Sequence, residues 1–192
     1  MYKDVKKFCE EYTSCQINKQ PTSKPPGKAL AVEVPTSAWS SIAIDFMGSI
    51  SNTSKRTSMY IMVILCRFIQ MVHLIVLPKL TSKIIAEVLA KKHIPLFGIP
   101  DDILSDRDPR FTAHFWKAVM LFIQIKLIMT TAFHQNTNGA LERLNKVIGH
   151  QLRILSQNAR KPWDTVLYLI QHSINSTPLH YIDKSPFELA FG

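Results

Sequence analysis

The chain has 192 residues, of which 46% are hydrophobic, and carries a formal charge of +9. That length suits one domain of ordinary size with a small appendage, and the apolar share is ample for a core. The excess of lysine and arginine points to a polyanionic partner, nucleic acid first, although a basic surface kept for solubility would give the same balance.

Cys9, Cys15 and Cys66 show no paired spacing, which argues against a disulfide framework and for a reducing compartment. The opening Met-Tyr-Lys-Asp-Val-Lys-Lys lacks the apolar centre of a signal peptide. Met59 to Pro78 is apolar enough to raise a membrane span, yet a spanning helix would hold Arg67 and Gln70 near the bilayer centre at high cost. Its Val, Ile and Phe content, with polar residues bunched in the middle, predicts two strands joined by a tight turn.

In chain order, residues 4–12 form a short predicted helix, and 13–35 collects breakers: Gln-Pro-Thr-Ser-Lys-Pro-Pro-Gly-Lys reads as a linker. The main domain is expected from about Pro35, with Trp39 beneath a first strand, Ile42 to Ile50. Strands two and three are Met59 to Cys66 and Met71 to Leu77. Thr81 caps a helix to about Phe97 whose buried stripe is Ile84, Ile85, Val88 and Leu89, with Lys91 and Lys92 on the other face. Gly98-Ile99-Pro100 ends it. A fourth strand, Asp102 to Ser105, a helix from about Ala113 to Phe122, and a fifth strand, Lys126 to Met129, follow.

After a loop from Thr130 to Asn138, a long helix is predicted over Gly139 to Gln157. There Leu141, Leu144, Ile148, Leu152 and Leu155 recur at three- and four-residue steps. Glu142, Asn145, Lys146 and Arg153 fall off that stripe. Pro162-Trp163-Asp164 opens a helix to about Ser176, and Ser185-Pro186-Phe187-Glu188 opens a final short one. Three strands, then alternating helices and strands, imply an α/β chain with a mixed five-stranded sheet and helices packed on it, the layout of ribonuclease H-like domains.

Three acidic positions stand out. Asp45 interrupts the apolar run Ile-Ala-Ile-Asp-Phe-Met, and a carboxylate between Ile44 and Phe46 needs a partner if buried. Asp106 ends the fourth strand, where Asp101, Asp102 and Asp108 compete with it as turn or cap residues. Glu142, followed by Arg143, would ordinarily be a solvated helix face. Converging from two strands and a helix, the three would make a site for divalent metal, which prefers hard oxygen ligands.

Each sits in a longer block: Trp-Ser-Ser-Ile-Ala-Ile-Asp-Phe-Met-Gly, then Gly-Ile-Pro-Asp-Asp-Ile-Leu-Ser-Asp-Arg-Asp-Pro-Arg-Phe-Thr, then Thr-Ala-Phe-His-x-x-Thr-x-Gly-x-x-Glu-Arg-Leu-Asn, and finally Ser-Pro-Phe-Glu-Leu-Ala-Phe-Gly. In that order they resemble the integrase catalytic core of gypsy-type LTR retrotransposons, within the retroviral integrase superfamily, over essentially the whole chain. The resemblance implies phosphoryl transfer on DNA, with Asp45, Asp106 and Glu142 holding two Mg²⁺ or Mn²⁺ ions. Water attacks in end processing and a DNA 3′-hydroxyl in strand transfer. It turns Lys146, Asn145, Arg143 and His134 toward DNA; without it, Lys146 is simply an i,i+4 partner of Glu142. It also implies element ends and target DNA as partners, at least a homodimer, no membrane, and a nuclear site of action for a eukaryotic element.

The departures from the family pattern are equally specific. Residues 1–20 read as an incomplete zinc-binding module, with Tyr12 where a cysteine belongs and only Cys15 kept, so no zinc site is expected. Residues 21–34 are the linker and 35–192 the core, with the family's C-terminal β-domain not expected. Cys66, Ile69 and Gln70 replace an aspartate, serine and lysine in the hairpin, which is expected to weaken the turn and expose apolar surface. Gln135, Asn136, Asn138, Ala140 and Leu141 depart from the catalytic-loop pattern, and Gly149 interrupts the long helix at about 1 kcal/mol relative to alanine. These losses leave a second reading from another class: a catalytically idle, domesticated or decaying module for nucleic-acid binding or dimerisation. A general ribonuclease H lacks support, because the blocks around Asp106 and Glu142 are integrase-like.

Overall fold

The computed structural model describes residues 35–52, 57–106, 113–129, 135–159 and 162–192, with Lys3, Lys7 and Glu11. Apart from those three, the expected zinc-module remnant (1–20) lies outside the described residues, as do the expected linker (21–34) and His134. Five strands form one sheet: β1 (Ser41–Asn52), β2 (Thr57–Cys66), β3 (Val72–Leu77), β4 (Asp102–Ser105) and β5 (Lys126–Met129). The order is β3-β2-β1-β4-β5. β2 runs antiparallel to β1 and β3, while β4 runs parallel to β1 and β5 parallel to β4.

Strand alternation explains why the sheet is covered on both faces. Ile42, Ile44, Met62, Ile64 and Ile103 point one way and belong to a core with Trp39, Ile85, Leu89, Trp116 and Met120. Ala43, Ile61, Val63, Leu65 and Leu104 point the other way, onto Leu141, Ile148, Leu152, Leu167 and Ile170. The first set of helices is α1 (Ser82–Val88), α2 (Ile94–Phe97) and α3 (His114–Phe122); the second is α4 (Gln135–Ala159) and α5 (Leu167–Ser176). A short α6 (Pro186–Phe191) carries a capping box, Ser185 with Glu188.

Helices expected as single elements differ in detail. Thr81 caps α1 through its hydroxyl as expected, but a π turn, Leu89–His93, separates α1 from α2. Pro95 has no N–H for the carbonyl four residues back, so the ladder widens just before it. Helix α5 is preceded by a 3-10 turn, Trp163–Thr165. Helix α4 starts four residues earlier than the leucine stripe suggested, and it runs through Gly149 unbroken. A Cβ there would meet only Met47 Cε, at 3.8 Å, an ordinary contact.

The hairpin expectation needs a correction. Cys66 is 0% and Ile69 is 3% exposed, so these substitutions add to the core and expose no apolar surface there. The Cys66 Sγ accepts the Trp39 N–H at 3.2 Å, and the turn is completed by Gln70 at φ 57° with its amide on the Arg67 carbonyl at 3.0 Å. Arg67 binds Ser41 Oγ at 2.7 Å, and Ser41 in turn donates to Asp102 at 2.5 Å, tying the turn to β1 and β4. Among the described residues no helix is long and apolar enough to cross a membrane.

Behind β3 sits an imidazole pair. His73 Nδ1 and His93 Nδ1 are 3.1 Å apart, and His93 is 0% exposed beside Trp39 and Phe97, which stack at 4.0 Å. With His93 Nδ1 as the donor, its buried and unpartnered Nε2 is a bare lone pair rather than an unmade N–H. Burial first, then the Lys92 charge, holds His73 at about 4; burial first, then His73, holds His93 at about 3. Both values lie below that of an unfolded imidazole, near 6.5. Between those limits the unfolded chain binds more protons than the folded one, so stability present above pH about 6.5 is lost as pH falls toward about 4. Urea titrations at pH about 6.5 and 5 should differ by on the order of 2 kcal/mol. The His73→Leu/His93→Phe double variant should lose less than half of that. An equal loss in the double variant would put the acid lability elsewhere.

Candidate active site

The position of Asp45 follows from the alternation of β1. Two residues after Ala43, it faces α4 rather than the α1–α3 side, opposite Val63 of β2. The β1–β4 parallel register runs from Ser41–Asp102 to Ile44–Ser105. One step further along the same register brings Asp45 beside Asp106, on neighbouring strands about 4.8 Å apart. Beyond this point β1 continues past a bulge between Met47 and Ile50, where Gly48 takes φ 56°. The two aspartates therefore stand where β4 has ended and β1 still runs on, at the carboxyl end of the parallel pair.

The third carboxylate comes from α4. Leu141, Ile148 and Leu152 are buried against the sheet, and Glu142, next to Leu141, is turned outward at the rim. Ile44, Asp45, Asp106, Leu141 and Glu142 line one cavity of about 140 Å³. Asp45 is half-buried, and its two oxygens are both held: Oδ1 accepts the Phe46 N–H at 2.8 Å, and Oδ2 accepts Asn145 Nδ2 at 2.6 Å. The partner demanded by a carboxylate between Ile44 and Phe46 is thus an amide one turn along the helix from Glu142. Sequence reasoning had turned Asn145 toward DNA; the signal for its second role was its i,i+3 spacing from Glu142 on one face.

The donor set suits a hard divalent cation: among the described residues the polar groups lining the cavity are carboxylates, and the buried Asn145 Oδ1 has no hydrogen-bond partner. Among the described residues, no three His, Cys, Asp or Glu side chains are close enough together to hold an ion. The carboxylates border a common space without forming a closed cage. From that rim Arg143, Lys146, His150 and Arg153 are all exposed, at steps of three and four residues along α4. They make a basic stripe about 15 Å long, and Glu142 is the helix's sole acidic residue.

The sheet order and helix layers define a ribonuclease H-like fold, and the three acidic positions fall at the rim of its parallel pair. No protein-family model matches the chain. The Tf2-3 and Tf2-4 transposon polyproteins of Schizosaccharomyces pombe are 26% identical to it over 193 residues, which is 98% of this chain and 14% of each polyprotein. The chain thus spans about a seventh of the length of these curated relatives.

Among solved structures, a simian T-cell lymphotropic virus intasome chain matches with a TM-score of 0.74 at 18% identity, covering 100% of this chain and 67% of that one. The HTLV-2 integrase catalytic core in complex with magnesium, in its trimeric form, gives 0.62 at 20% identity, over 78% of this chain and 95% of that one. The BIV integrase core gives 0.60 at 17%, over 79% and 93%. The resemblance to an LTR-retrotransposon integrase core is borne out.

Proposed function

We propose that residues 35–192 act as the catalytic core of a retrotransposon integrase, carrying out metal-dependent phosphoryl transfer on DNA, with 1–20 a zinc-module remnant and 21–34 a linker. The observation that carries this reading is the single cavity shared by Asp45, Asp106 and Glu142, from β1, the end of β4 and α4. These three would hold one or two Mg²⁺ or Mn²⁺ ions. When bound, such ions polarise a phosphoryl oxygen and lower the pKa of a nucleophilic water or hydroxyl.

The chain's own residues account for the rest. Leu141 gives the cavity an apolar wall on its α4 side, which strengthens electrostatics inside it. Arg143, Lys146 and Arg153 offer charge, and His150 a ring hydrogen-bonding group, along which a phosphate backbone can lie, positioning DNA without reading its sequence. His134 is proposed on the DNA side from the resemblance alone. Further copies of this chain would complete the assembly: Leu121 and Phe122, at the end of α3, are 80% and 88% exposed and have room for a partner.

The test is thermal unfolding with and without divalent ions. Three converging carboxylates repel one another, so Mg²⁺ or Mn²⁺ should raise the wild-type melting temperature by several degrees at saturating metal. Asp106→Asn should fold and lose most of that rise. Equal stabilisation of wild type and variant would remove the metal site from this cavity. No response from wild type would favour the idle-module reading.

A further inference from the structure

We infer that Asn145 is the positioning residue for Asp45: one amide fixes the direction of the β1 carboxylate and the seating of α4 beside it, readying the cavity for a divalent cation. This rests on the proposed reading of that cavity. The bond is short, 2.6 Å from Nδ2 to Oδ2, and it joins residues 100 positions apart. With Oδ1 already on the Phe46 N–H, the carboxylate is held at both oxygens and cannot rotate without breaking a bond. Each oxygen keeps a second lone pair, so neither bond blocks a ligand.

The placement is economical. Asn145 lies one turn beyond Glu142 on the same helical face, so α4 supplies one carboxylate and the amide that orients another. A shift of α4 along β1 would disturb both together. The remaining amide atom, Asn145 Oδ1, is buried without a hydrogen-bond partner among the described residues. An unmet buried acceptor is costly and calls for an O–H donor, which a water or hydroxyl entering with the cation would supply. Partners that hydrogen-bond a ligating carboxylate commonly set metal affinity by about 10–100-fold.

The experiment is a Mn²⁺ titration followed by melting temperature. Asn145→Ala should fold with a small drop in the metal-free melting temperature and should raise the half-effect Mn²⁺ concentration about tenfold. A helix tether with no part in metal binding would lower the metal-free value and leave the half-effect concentration unmoved; that result overturns the inference. Asn145→Asp keeps the shape, removes the donor and adds a charge facing Asp45. It should melt below wild type without metal and show a larger rise with Mn²⁺, and a rise no larger than that of wild type counts against the inference even if Asn145→Ala fails to fold. A wild-type chain that ignores Mn²⁺ overturns this inference together with the metal reading, whereas a responsive wild type matched by Asn145→Ala overturns this inference alone.

Discussion

Glu142→Gln is expected to cut no branched DNA under conditions in which the wild-type chain cuts it weakly with Mn²⁺. Glutamine preserves the length of the side chain and its fit beside Leu141, so α4 and its buried stripe should stay in place. What disappears is one of three negative charges bordering the cavity, and with it a hard oxygen ligand of full charge. Loss of one electrostatic stabiliser of a transition state commonly costs at least about a hundredfold. A branched substrate asks least of this chain because it already holds both reacting strands together, leaving less positioning to the protein. End joining, which needs two DNA ends brought together by several copies, is expected to be weaker still. Gel assays of nicked products decide the matter. Equal cutting by wild type and Glu142→Gln would identify a contaminating nuclease, and silence from both under every metal would favour the idle module.

Asn175→Leu should destabilise the fold by about 2–6 kcal/mol, two buried groups at about 1–3 kcal/mol each. β3 is an edge strand, and its outward N–H and C=O groups have no strand to meet. Helix α5 meets them instead. Asn175, 0% exposed, accepts the Val72 N–H and donates to the Val72 carbonyl, both at 2.8 Å, while Gln171 accepts the Leu74 N–H at 2.7 Å. The match is geometric: four helical residues rise about 6 Å, close to the two-residue repeat of a strand. Leucine keeps the branching of the side chain but offers neither bond, and its bulkier methyls at a fully buried site add to the loss. A melting temperature lower by roughly 10 °C is expected for a domain of this size. Gln171→Leu, which loses one bond, should cost about half as much. An exposed edge also invites pairing between chains, so light scattering near the melting point should rise earlier in Asn175→Leu. Unchanged stability would mean water replaces the amide and the edge is not sealed.

Much of this molecule is local in origin and therefore legible in sequence. The unbroken apolar runs Ile42 to Ile44 and Ile61 to Cys66 mark strands because a strand buried on both faces reads as a continuous, β-branched-rich hydrophobic stretch. The steps from Leu141 to Ile148 to Leu152 mark a helix by their period. The motif blocks pick Asp106 out from Asp101, Asp102 and Asp108, a choice that turn chemistry alone does not make. The π turn before Pro95 is less legible, since a proline permits a kink, a break or a widened turn, and the packing of His93 between Trp39 and Phe97 selects the last.

Sequence by itself thus determined the strands and the leucine stripe of α4, each carried by the pattern of near neighbours, while the three carboxylates were singled out by the resemblance of their motif blocks. The tertiary structure decided what depends on residues distant in the chain meeting in space. Cys66 and Ile69 are buried because β1 and the Trp39 turn close over the hairpin, which no hairpin residue announces. The contact of the Asn145 amide with Asp45 follows only from the β1 alternation and the docking of α4. Asn175 and Gln171 carried no readable role until α5 was laid along an edge strand a hundred residues earlier. Hydrogen bonds of this kind have no period and no local propensity. They exist only once the hydrophobic faces have chosen their partners, and that choice is made by the whole core.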